Sequence, residues 1–156
     1  GDVVLAGDEL ENVRVIHHTN LISELIQNGR IKLNKGVDKQ ITSHDPCYLT
    51  RYNDTTAEPR EILVQLGKKG PVEMEQNGKL GMCCGAGGGH FWMDMKVGER
   101  VNVLRSKQAL ETGSEIVATG CPFCMQMLED GTKLLNVEER ISVQDIAELV
   151  AENLAS

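Results

Sequence analysis

Apolar residues along this chain follow two patterns in alternation. Some recur every three or four residues, as on one face of a helix; others form short β-branched runs bounded by turn residues. Residues 13–17, Val-Arg-Val-Ile-His, are the first such run and are expected to form a strand. Leu21, Ile22, Leu25 and Ile26 then make a helical stripe, with Thr19 or Asn20 as its cap and Gly29 as its stop. Residues 39–43 predict a second strand, ending in His44-Asp45-Pro46-Cys47. Ile62, Leu63 and Leu66 form a stripe that Pro59 tolerates in its first turn and Gly67 closes. Residues 72–74 read as a weak strand before an Asn77-Gly78 turn.

Val97, Val101 and Leu104 share the face of a long helix closed by Gly113. Residues 116–119 are a β-branched strand running into Cys121-Pro122-Phe123-Cys124, where Pro122 suits a first helical position and Cys121 an N-cap. Ser142-Val143-Gln144-Asp145 resembles a capping box opening a last helix, with Val143, Ile146, Ala147 and Val150 on one face. Strands alternating with helices predict an α/β fold, a three-layer αβα domain around a mainly parallel sheet. Residues 1–12 have no clear period and read as a flexible lead-in, leaving 13–156 as one domain.

Composition narrows the function. With 16 Lys and Arg against 23 Asp and Glu, the net charge is −7. That disfavours nucleic acid or an anionic membrane as partner, since both need excess positive charge. Aromatic residues are 3% of the chain, too few for base-stacking platforms. No apolar run approaches the roughly 20 residues of a membrane helix, so direct membrane insertion is not expected.

Five cysteines change the picture: Cys47, Cys83, Cys84, Cys121 and Cys124. An odd number with an adjacent pair fits a disulfide framework poorly. Without an export signal they read as reduced, cytoplasmic thiols that bind metal or do redox work. Thirty-five residues separate Cys47 from the Cys83-Cys84 pair, and 36 separate that pair from Cys121-x-x-Cys124. Each group falls where a strand or loop gives way to a helix, so in a parallel sheet all three converge on the carboxyl edge. Helix N-termini and the glycine run 85–89 offer backbone N–H groups that stabilise thiolate, and hydrogen bonds to sulfur are a main control on cluster potential. Soft sulfur donors favour an iron–sulfur centre or zinc over magnesium or calcium. A catalytic dithiol of Cys121 and Cys124 would leave three cysteines unused.

Other signals are weaker. His44 is a candidate donor to a sulfur or a proton relay, against the plainer role of orienting the Asp45-Pro46 turn. His90, after the glycines, is a candidate donor or a simple cap. His17 and His18 at a strand end would point to opposite faces. A dinucleotide fingerprint starting at Gly85 fails, because its third glycine position is His90. Trp92, Met93 and Met95 read as packing residues.

The stretches His44-Asp45-Pro46-Cys47-Tyr48-Leu49, Cys83-Cys84-Gly85-Ala86-Gly87-Gly88 and Ala118-Thr119-Gly120-Cys121-Pro122-Phe123-Cys124 resemble the CCG cysteine-rich domain of the heterodisulfide reductase family. That family also covers iron–sulfur subunits of glycolate oxidase, anaerobic glycerol-3-phosphate dehydrogenase and lactate utilisation systems. The likeness spans about residues 40 to 150. It implies an iron–sulfur cluster, in heterodisulfide reductases a non-cubane [4Fe–4S] centre, held here by Cys47, Cys83, Cys84, Cys121 and Cys124, with His44, Gly85, Gly87 and His90 around it. It also implies an electron-transfer role beside a flavoprotein or ferredoxin-type partner, in the cytoplasm or at its membrane face. Residues 48–60 most resemble oxidoreductases linked to electron-transfer flavoprotein and acyl-CoA oxidation. Two departures stand out: the motif occurs once where many relatives have two copies, and ferredoxin-type cysteine runs are missing. With the Gly1-Asp2 start, they lead us to expect a C-terminal piece of a longer subunit. The alternative is a structural zinc or assembly domain, since some family copies bind zinc and four thiolates would close a tetrahedral site.

Overall fold

The structure, a computed structural model, describes residues 13–34, 36–93 and 98–155. Three short strands, β1 (Ile41–Ser43), β2 (Ile116–Thr119) and β3 (Ser142–Asp145), form a parallel sheet in the order β1-β2-β3. All four residues of β2 are buried, as expected of a parallel strand covered on both faces. Side chains alternate across it. Ile116 and Ala118 join Ile41, Ile62, Leu63, Leu66, Ile146 and Leu149 on one face. Val117 joins Met74, Ala109, Leu128, Ile141 and Val143 on the other. Helices α1 (His18–Gln27), α2 (Ala57–Leu66) and α5 (Ile146–Glu152) cover the first face, and α3 (Val101–Glu111) and α4 (Pro122–Leu134) the second. This is the three-layer αβα arrangement predicted from the hydrophobic pattern.

Several elements differ from the expectation. Residues 13–17 form no strand: nothing pairs with them and Val15 is 94% exposed. His17 instead caps α1, its Nδ1 accepting from the Thr19 N–H, so Thr19 and Asn20 lie inside the helix. Residues 72–74 contribute one parallel bridge, with the Val72 N–H donating to the Ile41 carbonyl at 2.8 Å, while Met74 turns into the core. Ser142 to Asp145 is strand β3 and not the start of a helix. The capping box is displaced by three residues: Asp145 caps α5 and Glu148 reaches back to its N–H. A β-branched Val143 facing the core is worth more in the ladder beside β2 than in an extra helical turn. The predicted Val97 start of α3 and the lead-in 1–12 lie outside the described residues, and among those described no helix is long and apolar enough to cross a membrane.

α3 packs on α4 through a polar seam. Asn102 donates to the Met127 carbonyl at 3.0 Å, and Ser106 donates to that of Leu128 at 3.4 Å. The backbones come close at Gly131, where a Cβ would lie 2.7 Å from the Asn102 carbonyl oxygen and would strike Ser106 Oγ. Gly131→Val is therefore expected to lower stability by about 1–3 kcal/mol through overpacking. The check is a urea unfolding midpoint, and an unchanged midpoint would show that the two helices do not pack this closely.

Candidate metal centre

The carboxyl ends of β1 and β2 deliver two of the three cysteine groups to one edge. The His44 N–H donates to the Ala118 carbonyl at 2.8 Å, carrying the ladder one residue past β1. Pro46 then ends the extended chain, and its carbonyl accepts the N–H groups of Leu49 and Thr50, both at 3.0 Å, in a single π-turn (Tyr48–Tyr52) that carries Cys47 at its start. On the neighbouring strand Gly120 leads to Cys121, the N-cap of α4, with Pro122 in the first helical position. The third group, Cys83-Cys84, comes from the loop between a 3₁₀ turn (Gly78–Leu80) and a kinked 3₁₀ segment (Gly87–Trp92).

These loops meet. Cys84 and Cys124 are buried together with Met127, and Cys83, Cys121, Ala86 and Phe91 pack against them. Cys47 lies close enough to Cys83 and Cys84 for both to act on its thiol. A ring nitrogen of His44 and the sulfurs of Cys84 and Cys124 lie within 4.8 Å of one another. All five cysteines are free thiols.

Their electrostatics are those of a site holding negative charge. The Cys124 S–H serves Cys121 and Cys84 at once, which raises the Cys124 pKa and lowers both of its neighbours'. Cys121 falls to about 6: the Cys124 S–H outweighs burial, and the N–H groups of Cys124 and Phe123 at the start of α4 add to it. Cys84 is lowered by the Cys124 S–H against burial, then by His44 and the Ala86 N–H. Cys47 is raised by burial and by Cys83 and Cys84 nearby. The Gly85 N–H reaches Cys83 Sγ at 3.3 Å. Gly85 has φ +92°, and a Cβ there would sit 3.1 Å from that of Val101, so this residue has to be glycine. Gly87 and His90 are exposed, and among the described residues no hydrogen bond joins either to a sulfur.

The donor set fits a thiophilic group. Five thiols exceed the four that a structural zinc closes. A bound cation would have to displace the one proton that three of them share, because metal binding to thiols releases protons. In addition, His44 Nε2 is buried with no well-formed hydrogen bond.

Two arginines that carried no motif support the site, Arg60 and Arg105. Asp45 is buried; Arg60 grips it through Nη1 and Nη2 at 2.8 and 2.9 Å, and the Gly78 N–H donates to it at 2.6 Å. The pair ties the Cys47 loop to α2 and to the approach to Cys83. Arg105, 0% exposed, donates from Nε to His44 Nδ1 at 3.0 Å. Its only trace in the sequence is its place four residues after Val101, on the predicted apolar face. His17 and His18 do not diverge: their ring centroids lie 4.2 Å apart with the planes tilted by 39°, His17 Nε2 donates to the Gly120 carbonyl at 3.0 Å, and His18 faces Asp145.

All five aromatic residues gather at this edge. Tyr48 stacks on Tyr52, and Phe91 meets Phe123 and Trp92 edge-on. Tyr48 is 74% and Trp92 82% exposed. A groove of about 520 Å³ opens beside Cys121, lined also by His17, Pro46, Tyr48, Asn53 and Gly120.

A family model described as a cysteine-rich domain, CCG, matches residues 41–129. The chain is 44% identical over 140 residues to a Bacillus subtilis protein named "Probable iron-sulfur-binding oxidoreductase FadF", covering 90% of this chain and 20% of that protein. It is 36% identical over 146 residues to the EtfAB:quinone oxidoreductase of Syntrophomonas wolfei, covering 89% and 20%. It is 41% identical over 150 residues to one subunit of the dihydromethanophenazine:CoB–CoM heterodisulfide reductase of Methanosarcina barkeri, covering 96% and 36%. The chain thus spans a fifth to about a third of these relatives' length.

Burial works to raise the Asp45 carboxyl, but the Arg60 hydrogen bonds and charge, with the Gly78 N–H, overcome it and leave the pKa below the ordinary carboxylate value. The stabilisation is therefore complete above about pH 5 and is lost as pH falls through the depressed pKa. Asp45→Ala is expected to cost about 3 kcal/mol at pH 7. The gap from the parent in urea midpoint should shrink in acid; a gap independent of pH would mean the ion pair does not support the loop.

Proposed function

The chain belongs to the CCG cysteine-rich domain family, and on that premise we propose that it is the cluster-binding part of a larger iron–sulfur oxidoreductase. In this reading Cys47, Cys83, Cys84, Cys121 and Cys124 hold a [4Fe–4S] centre of the non-cubane type. The observation that carries it is the meeting of five free thiols from three remote loops, with backbone N–H groups aimed at Cys47, Cys83, Cys84 and Cys121. When bound, such a centre supplies one-electron chemistry at a potential set by its hydrogen bonds and exposure.

The chain's own residues have three tasks. Binding of a cation would displace to solvent the proton that Cys124 shares with Cys84 and Cys121, leaving all three as thiolate. The N–H groups of Tyr48, Gly85, Ala86, Phe123 and Cys124 hold the sulfurs in place and disperse their charge. Met127 and Phe91 exclude water from the buried side. The exposed aromatics, Tyr48 and Trp92 above all, face the redox partner, which we take to be a flavoprotein or a ferredoxin-type domain. Turnover belongs to the longer protein, and we place the domain in the cytoplasm, with any membrane attachment supplied from outside residues 13–156.

Anaerobic reconstitution with iron and sulfide tests the reading. A brown protein with about four irons and four sulfides per chain is expected, and Cys84→Ser and Cys124→Ser should each lose most of both. Colourless protein holding one zinc and no sulfide, or no metal at stoichiometric level, would overturn it.

A further inference from the structure

A ring nitrogen of His44 lies within 4.8 Å of the Cys84 and Cys124 sulfurs, an arrangement that suggests metal binding through nitrogen as well as sulfur. Its other side argues against that. Arg105 Nε donates to His44 Nδ1 at 3.0 Å, and a guanidinium has five donors and no acceptor. The Nδ1 lone pair is therefore taken. A neutral imidazole has one donor nitrogen and one acceptor nitrogen, so the ring proton must sit on Nε2, the atom on the cysteine side that has no well-formed partner.

Ligation through Nε2 would need that atom bare. Either the proton would move to Nδ1 and meet the Arg105 N–H head-on at 3.0 Å, or the ring would become an imidazolate in a buried site. Arg105 cannot easily turn away to allow this. It is fully buried, and its Nη1 donates to the Gln76 carbonyl at 2.8 Å and to Gln108 Oε1 at 2.7 Å.

We propose that Arg105 is a positioning residue that fixes His44 as the Nε2–H tautomer, making His44 an N–H donor to sulfur at the Cys84–Cys124 side of the centre and excluding it from ligation. This rests on the proposed cluster only for its consequence; the tautomer itself is a property of the protein alone. An N–H aimed at sulfur stabilises the more negative, reduced state, so it raises the reduction potential.

Two measurements test it on ¹⁵N-histidine-labelled protein. In the metal-free form, a long-range ¹H–¹⁵N correlation spectrum should show His44 with unprotonated Nδ1 and protonated Nε2. The opposite tautomer, or a mixture, would overturn the proposal whether or not a cluster is ever loaded. Arg105→Met should let both tautomers appear; a ring still locked with its proton on Nε2 in that variant would overturn the positioning role. In the loaded form, His44→Phe keeps the ring's bulk without the N–H. It should retain full iron and sulfide while its midpoint potential moves to more negative values. Loss of iron with His44→Phe would make His44 a ligand, and an unmoved potential would remove its role as donor; either overturns the proposal. Failure of any cluster to load in the parent would instead count against the function proposed above and leave the tautomer result standing.

Discussion

The register that sets Ser43 beside Ala118 is the constraint from which the cysteine edge follows. Two parallel neighbours must end at the same edge, and the ladder runs one residue further through the His44 N–H. Backbone hydrogen bonds therefore bring the Cys47 and Cys121 loops to the same edge. The third group has no strand of its own; it reaches the same spot because Arg60, Asp45 and Gly78 knit its approach to the end of β1. A one-residue slip between β1 and β2 would turn every side chain to the other face and pull the loops apart.

Gathering thiols at a partly buried edge concentrates negative charge that water would otherwise solvate. The chain is acidic as a whole, yet two arginines lie beneath this edge, Arg105 wholly buried and Arg60 in large part. Arg60 neutralises Asp45, while Arg105 faces the sulfurs through His44. Backbone N–H groups and the Cys124 proton offset the rest of the charge. The same features suit an anionic sulfur-ligated centre, because each of them stabilises negative charge on sulfur at a place that water reaches only from one side.

Much of the fold was legible in the residues. Helix α2 carries Pro59 in its first turn and ends at Gly67, α4 begins at Pro122, and the runs at β1 and β2 are too β-branched to misread. Other readings failed where local pattern and long-range pairing disagree. Residues 13–17 have strand composition but pair with no strand among the described residues, and His17 ends as the cap of α1. Ser142 to Asp145 has helix-start composition but an open neighbour in β2, and the ladder wins. His17 and His18, assigned to opposite faces, bring their rings together once the backbone turns into α1.

What the sequence determined by itself was local. The strand runs at β1 and β2, the end of α2 at Gly67, the start of α4 at Pro122, and the placing of every cysteine at a strand or loop end all follow from periodicity and from the backbone preferences of proline, glycine and β-branched residues. What only the tertiary structure decided was which charged and polar side chains would be buried, and against what. Arg105 and His44 are 61 residues apart, and nothing near either one predicts that a guanidinium would choose the proton position of an imidazole. The physical reason is that burying a long polar side chain is favourable only when its partners are already in place, and those partners are supplied by the fold.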